Sequence, residues 1–241
     1  MARRRYSIAP EIFESFPHYS CGVVFVDNVS NFDPVGAAIA RLRVEEGAFR
    51  SRLEGQDLAT SPNIASWRNA YRAFGTKPSE YRSAIEAIGR RVMRGDSLPS
   101  INPLVDIGNA FSLRHVVPIG AHSIDGLGDE IVLRLSSGSE VFTPLGSDQY
   151  EHPFPGEVIL ADGETVLTRR WTWRQGAHSM VEHDTRTAIY NVDGLPPVST
   201  ATVQDICSEL VTAIWDYCHC RGQCHLLNSC NLSIRLDVPK S

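Results

Sequence analysis

The chain has 241 residues, 42% hydrophobic and 21% charged, which is long enough to bury a core and too apolar for a disordered segment. A net charge of −5 and a pI near 5.9 exclude a uniformly basic nucleic-acid-binding domain; a basic patch still fits inside an acidic total. No apolar run reaches the ~18 residues of a membrane span, and the basic N-terminus lacks the apolar stretch of a signal peptide, so a cytoplasmic location is expected.

In chain order, Cys21-Gly22-Val23-Val24-Phe25-Val26 is a short β-branched run and predicts a buried strand. Asp33-Pro34 opens a helical stretch to about Leu53, with proline at the first turn. Residues 61–94 predict helix with one break at Gly75-Thr76-Lys77-Pro78. The second part, from Ser79 to Arg94, repeats Tyr81, Ala84, Ile85, Ile88 and Val92 at helical spacing.

Residues 98–192 read as strands and tight turns. Strands are expected at Ile131 to Leu135, Gly156 to Leu160, Val166 to Trp171 and Ala188 to Val192. Turn signals at Ser137-Gly138, Asp162-Gly163 and Arg174-Gln175-Gly176 separate them. A closing helix is expected from Val203 to Cys220. No repeat or linker interrupts the chain. The fold class predicted is α+β: residues 1–241 as one domain, with a large mixed β-sheet flanked by helices.

Leu98-Pro99-Ser100-Ile101-Asn102-Pro103-Leu104-Val105-Asp106-Ile107-Gly108-Asn109 resembles the "INxxVDxxN" segment of the phenylalanyl-tRNA synthetase beta-subunit editing domain. Leu113, Pro118, Pro144-Leu145-Gly146 and Gly156-Glu157-Val158-Ile159-Leu160-Ala161-Asp162 follow in that family's order. Trp67-Arg68-Asn69-Ala70-Tyr71-Arg72-Ala73-Phe74-Gly75, Arg90-Arg91-Val92 and Arg169-Arg170-Trp171-Thr172-Trp173-Arg174 resemble its free-standing members. The likeness runs over about 67–195; the C-terminal helix and Cys-rich tail, 203–241, lie largely outside it.

The resemblance implies hydrolysis of an aminoacyl-tRNA ester at the acceptor end by a positioned water, with no cofactor. No G-x-S-x-G elbow, P-loop or dinucleotide fingerprint is present. Asn109 matches the family's Asn after the "VD" strand, where an amide can hold water or a ribose hydroxyl. Gly108 replaces a small hydroxyl residue, Gly120 replaces an active-site His, and Asn191 replaces a Glu that reads a tyrosine hydroxyl. These three are the expected substrate-binding positions. His122, two residues beyond Gly120, is the candidate base; His115 and His178 are weaker ones.

Asp106 is expected to be structural. Arg169, Arg170 and Arg174 are the tRNA-binding candidates: as a strand, 169–174 would place Arg169 with both tryptophans and turn Arg170 and Arg174 the other way. The tryptophans are expected in the core. The arginines fit either a phosphate-binding face or a solvated one.

Cys218, Cys220, Cys224 and Cys230 include one zinc-like spacing but no second pair, so buried thiols are expected and no metal is assigned. Two other functions stay open, ahead of a zinc-dependent hydrolase. One is transfer of the aminoacyl group to a small acceptor, and the other is non-catalytic binding of tRNA or an amino acid.

Overall fold

The all-buried run Ser20–Val26 forms strand β2 at the centre of a four-stranded sheet. Both of its faces are apolar, so both must be covered. The structure, a computed structural model, describes residues 2–33 and 36–238. Neighbouring β2 are β8 (Ala188–Gly194) and β9 (Gly222–Leu227), and β3 (Ile119–Ser123) closes the order β3-β8-β2-β9, antiparallel throughout.

A second, six-stranded sheet runs β10-β1-β4-β5-β6-β7. Its members are β1 (Ala2–Ile8), β4 (Glu130–Leu135), β5 (Val158–Asp162), β6 (Thr165–Arg169), β7 (Arg174–Gln175) and β10 (Ser233–Val238). The parallel β1–β4 pairing makes this sheet mixed, as expected; the others are antiparallel. The second sheet itself, β1 and the two C-terminal strands were not anticipated.

Alternation along the central strands sorts side chains between two cores. Cys21, Val23, Phe25 and Ile189 join Ile131, Leu133, Leu160 and Leu167 of the larger sheet. Val24, Val26, Tyr190 and Val192 pack against helices α5 (Pro103–His115) and α6 (Thr200–Cys218). At Gly22 any Cβ would lie 2.1 Å from Cys207 Sγ, so glycine is what lets α6 settle on β2.

The remaining helices are α1 (Pro10–Ser15), α2 (Ala37–Arg52), α3 (Pro62–Ala73) and α4 (Ala84–Met93). Leu42, Phe49, Ile85, Val92 and Leu113 from α2, α4 and α5 form a further cluster. Pro34, expected at the start of α2, lies outside the described residues, and the stretch from Ser79 to Ser83 precedes α4 rather than belonging to it.

Two expectations are corrected. First, 103–115 is a helix. Asn102 caps it by accepting from Val105 N at 3.1 Å, Pro103 sits in its first turn, and Leu104, Ile107 and Phe111 form its buried stripe. Second, 169–174 is not one strand. β6 ends at Arg169, and Arg170 (φ 46°) and Trp171 (φ 63°) turn the chain through the left-handed region. The period-two assignment of faces therefore does not apply to Arg170, Trp171, Thr172 and Trp173.

Candidate functional site

The edge strands β3 and β7 of the two sheets approach each other, and a pocket of about 190 Å³ opens between them and α5. Gln175 Nε2 ties the two edges together, donating to Ala121 O at 2.9 Å and Ser179 O at 2.8 Å.

Four pocket residues come from one face of the small sheet. Gly120 and His122 are two apart on β3, Asn191 and Asp193 two apart on β8, and Gly120 pairs with Asn191 across the ladder. The opposite wall is α5, where Val105, Gly108 and Asn109 share one side at spacings of three and four. Thr168 of β6 and the turn through Trp171 and Trp173 complete the enclosure, with Arg174 at the exposed rim.

The structure thus gathers Gly108, Asn109, Gly120, His122, Asn191 and Arg174 around one cavity. Asn109 is half-buried and its amide has no hydrogen-bond partner among the described residues. A Cβ on Gly108 would stand 3.2 Å from the Tyr190 ring, whose hydroxyl donates to Leu104 O at 2.8 Å; the missing side chain lets α5 lie close to β8. A Cβ on Gly120 would meet only His122 Nε2, at 3.6 Å, so that position is open space beside the imidazole.

His122 is buried. Its Nδ1 lies 2.8 Å from Ser179 Oγ and its Nε2 3.4 Å from Thr168 Oγ1. Burial pushes its pKa from 6.5 down to about 4, so the ring is neutral at physiological pH. A base this weak orients a water better than it deprotonates one, which revises the near-neutral base expected from sequence.

Asn191 is 7% exposed, and its Oδ1 is buried without a partner among the described residues. Asp193 accepts from Tyr19 Oη at 2.5 Å; burial raises its carboxyl from 3.8 to about 6, against the lowering effect of hydrogen bonds from Tyr19 and Cys21. Asp193, Thr168 and Gln175 were not singled out in the sequence. The signal for Asp193 was its place two residues after Asn191 on one strand.

Arg169 and Arg170 are buried, which corrects their expected role at a tRNA surface. Arg169 forms a bidentate pair with Glu157, at 2.9 and 2.8 Å, and also bonds Glu151 at 2.6 Å. The Arg170 guanidinium lies between the rings of Tyr81 (3.7 Å) and Trp173 (4.4 Å). Both arginines hold the turn that presents Trp171 and Trp173 to the pocket. Trp171 is core, as expected, edge-on to Tyr19 at 4.8 Å and Trp67 at 5.1 Å; Trp173 is partly buried.

His115, near Glu209, and His178, near Asp162, are not part of the pocket lining. Asp106 accepts from Ser100 Oγ at 2.5 Å and Ile101 N at 3.0 Å, a structural role. Cys218 and Cys220 are buried and Cys230 is exposed; among the described residues no group of three or more Cys, His, Asp or Glu is arranged to hold a metal.

The model of the B3/4 domain matches residues 66–209, more than half the chain. This protein belongs to the B3/4 domain family. That domain is found in the editing region of the phenylalanyl-tRNA synthetase beta subunit, and the match contains every pocket residue named above. A solved N-terminal fragment of the phenylalanyl-tRNA synthetase beta subunit from Pyrococcus horikoshii is similar over 90% of this chain, with 13% identity and a TM-score of 0.47. The B3/4 chain spans about half of that fragment, 49% of its length. No curated protein matches the chain. Among the described residues no helix is long and apolar enough to cross a membrane.

Proposed function

We propose that this B3/4 protein is a cytoplasmic deacylase that hydrolyses the ester of an aminoacyl-tRNA with a positioned water. The observation that carries the reading is the room at Gly120, where an added Cβ would meet only His122 Nε2, at 3.6 Å, in the lining of the pocket. In the tautomer that carries its proton on Nδ1, toward Ser179 Oγ at 2.8 Å, the neutral imidazole leaves the Nε2 lone pair to a water beside Thr168 Oγ1, which lies at 3.4 Å.

The water oxygen attacks the acyl carbon as the acyl–oxygen bond breaks, and the proton the water gives up passes to the departing ribose oxygen, leaving a free carboxylic acid and a ribose hydroxyl. The Asn109 amide, held on a rigid helix and uncommitted to other groups, donates to the developing oxyanion or to the ribose hydroxyl. A pocket near 190 Å³ is smaller than the sites that enclose a drug-sized ligand, and suits an acyl group whose nucleotide stays outside. Neither serine nor cysteine lines it, and the Thr172 hydroxyl is engaged with Tyr71 Oη at 3.1 Å. Thr168 also lines the pocket, its Oγ1 3.4 Å from His122 Nε2; water rather than this hydroxyl is taken as the nucleophile, and a trapped acyl-threonine would reverse that choice. Arg174 at the rim meets the acceptor-end phosphates.

The test is to incubate the pure protein with a pool of aminoacyl-tRNAs and follow which esters disappear. Asn109→Ala is expected to raise the barrier by about 2–4 kcal/mol, the scale of losing one oriented donor. Unchanged turnover in the folded variant removes Asn109 from the mechanism. An acyl adduct formed only with an added small acceptor would convert the reading to transfer.

A further inference from the structure

Beneath the proposed ester site lie two acceptors for which the described residues supply no cation. Asn191 and Asp193 project from the same face of β8, and both line the pocket. Asn191 Oδ1 is buried with no partner among the described residues. Asp193 is 6% exposed; the groups bonded to its carboxyl are the Tyr19 phenol and the Cys21 thiol, both uncharged at neutral pH. The other titratable group on this face of the pocket, His122, is neutral. Arg174 is at the rim, half-exposed and facing Glu151 at 3.9 Å.

An unpaired buried acceptor is costly, and an unpaired buried carboxylate more so. A buried polar group left without a partner calls for an explanation, and a bound ligand is one. We infer that Asn191 Oδ1 and the Asp193 carboxylate form a subsite for a primary ammonium group of the substrate. Asp193 supplies the countercharge and Asn191 a second acceptor, a pairing that a neutral hydroxyl would satisfy only by half. Tyr19 fixes the carboxylate through its 2.5 Å hydrogen bond to Oδ1.

The inference rests on the reading of the pocket as an aminoacyl site and names what that site recognises. The ammonium can come from the α-amino group or from an amine at the end of the acyl side chain.

The experiment measures binding without turnover. The probes are 3′-aminoacylamino-3′-deoxyadenosines carrying alanine, lysine or tyrosine, each with a free or an acetylated α-amino group, titrated calorimetrically into the wild-type protein and Asp193→Asn. If the α-ammonium is the group recognised, acetylation weakens every probe by about tenfold or more. If the side chain supplies it, the lysine probe binds about tenfold or more tighter than the alanine probe, acetylated or not. In either case Asp193→Asn abolishes the difference.

Equal binding of free and acetylated alanine probes, with no gain for lysine, overturns the subsite. So does a preference for tyrosine that Asp193→Asn leaves intact, or failure of every probe to bind. Should Asp193→Asn fail to fold, the wild-type comparisons decide the matter alone. Ester loss from aminoacyl-tRNA, measured separately, tests the deacylase reading: ammonium-dependent binding without ester loss overturns that reading and retains the subsite.

Discussion

Glu157 and Arg169 form a buried bidentate ion pair, Nε to Oε1 at 2.9 Å and Nη2 to Oε2 at 2.8 Å, and Glu157 Oε1 also accepts from Arg170 N at 3.1 Å. One carboxylate therefore anchors both the end of β6 and the first left-handed residue of the turn behind the pocket. Non-glycine residues in that region carry a strain of about 1–3 kcal/mol each, and persist where the surroundings over-determine them.

Removing the carboxylate strands Arg169 in the interior. Glu157→Ala is expected to destabilise the fold by about 3–5 kcal/mol, the range for breaking one partner of a buried pair. Chemical denaturation of wild type and variant measures it. A loss below about 1 kcal/mol would mean that water reaches the pair.

Gly120→Ala tests the proposed water position with little structural disturbance. The added methyl would sit 3.6 Å from His122 Nε2, an ordinary contact, and nothing else lies within 4 Å. The fold should keep its stability while ester hydrolysis falls by about a hundredfold, the scale of displacing a reacting group. Single-turnover kinetics on a sensitive aminoacyl-tRNA gives the answer, and full activity would move the water elsewhere.

His122 and Asp193 make stability depend on pH with opposite signs. His122 has its pKa lowered from 6.5 to about 4, so between those values the unfolded chain binds the extra proton and acid destabilises the fold. Asp193 has its pKa raised from 3.8 to about 6, so over that span the native state binds the extra proton and acid stabilises it. Each effect is about 3 kcal/mol at most. Around these groups stand Ser179, Thr168, Gln175, Tyr6, Tyr19 and Cys21, all uncharged. The two contributions nearly cancel in the wild type. Asp193→Asn should lose stability relative to wild type by about 3 kcal/mol as pH falls from 6 to 4, and His122→Gln should gain a similar amount. Denaturation curves across that range check both signs.

Arg174 and Arg170 should separate binding from folding. Arg174 is exposed and only loosely paired with Glu151 at 3.9 Å. Arg174→Ala is expected to weaken tRNA binding and to reduce the slope of log affinity against log salt by about one. Arg170→Ala should instead lower stability, because its guanidinium fills the space between Tyr81 and Trp173. Filter binding at several salt concentrations, beside thermal melts, distinguishes them; a salt slope unchanged by Arg174→Ala would place the acceptor end elsewhere.

Much of the local structure was legible from neighbouring side chains. The run at 21–26 is apolar on both faces and the run at 188–192 is apolar but for Asn191; they became the central strands β2 and β8. The helical spacing of Ile85, Ile88 and Val92 is the buried side of α4. The same kind of signal was present and misread at 103–115, where the Asn102 cap, the proline after it and the Leu104–Ile107–Phe111 stripe define a helix. The apolar residues flanking Asp106 in that segment mimic a strand, and only the cap distinguishes the helix.

The sequence by itself determined the family, the order of the motifs and most candidate pocket positions, because those properties reside in residue identity and short spacings. Tertiary structure alone decided that Arg169 and Arg170 brace a turn instead of meeting solvent, because Glu157, which pairs with Arg169, lies 12 residues away, just before β5. It also decided that His122 is neutral, that Gly120 leaves space beside it, and that Asp193 joins Asn191 without a cation. Charge state and vacancy depend on what other segments bring within a few ångströms, and no local pattern carries that information.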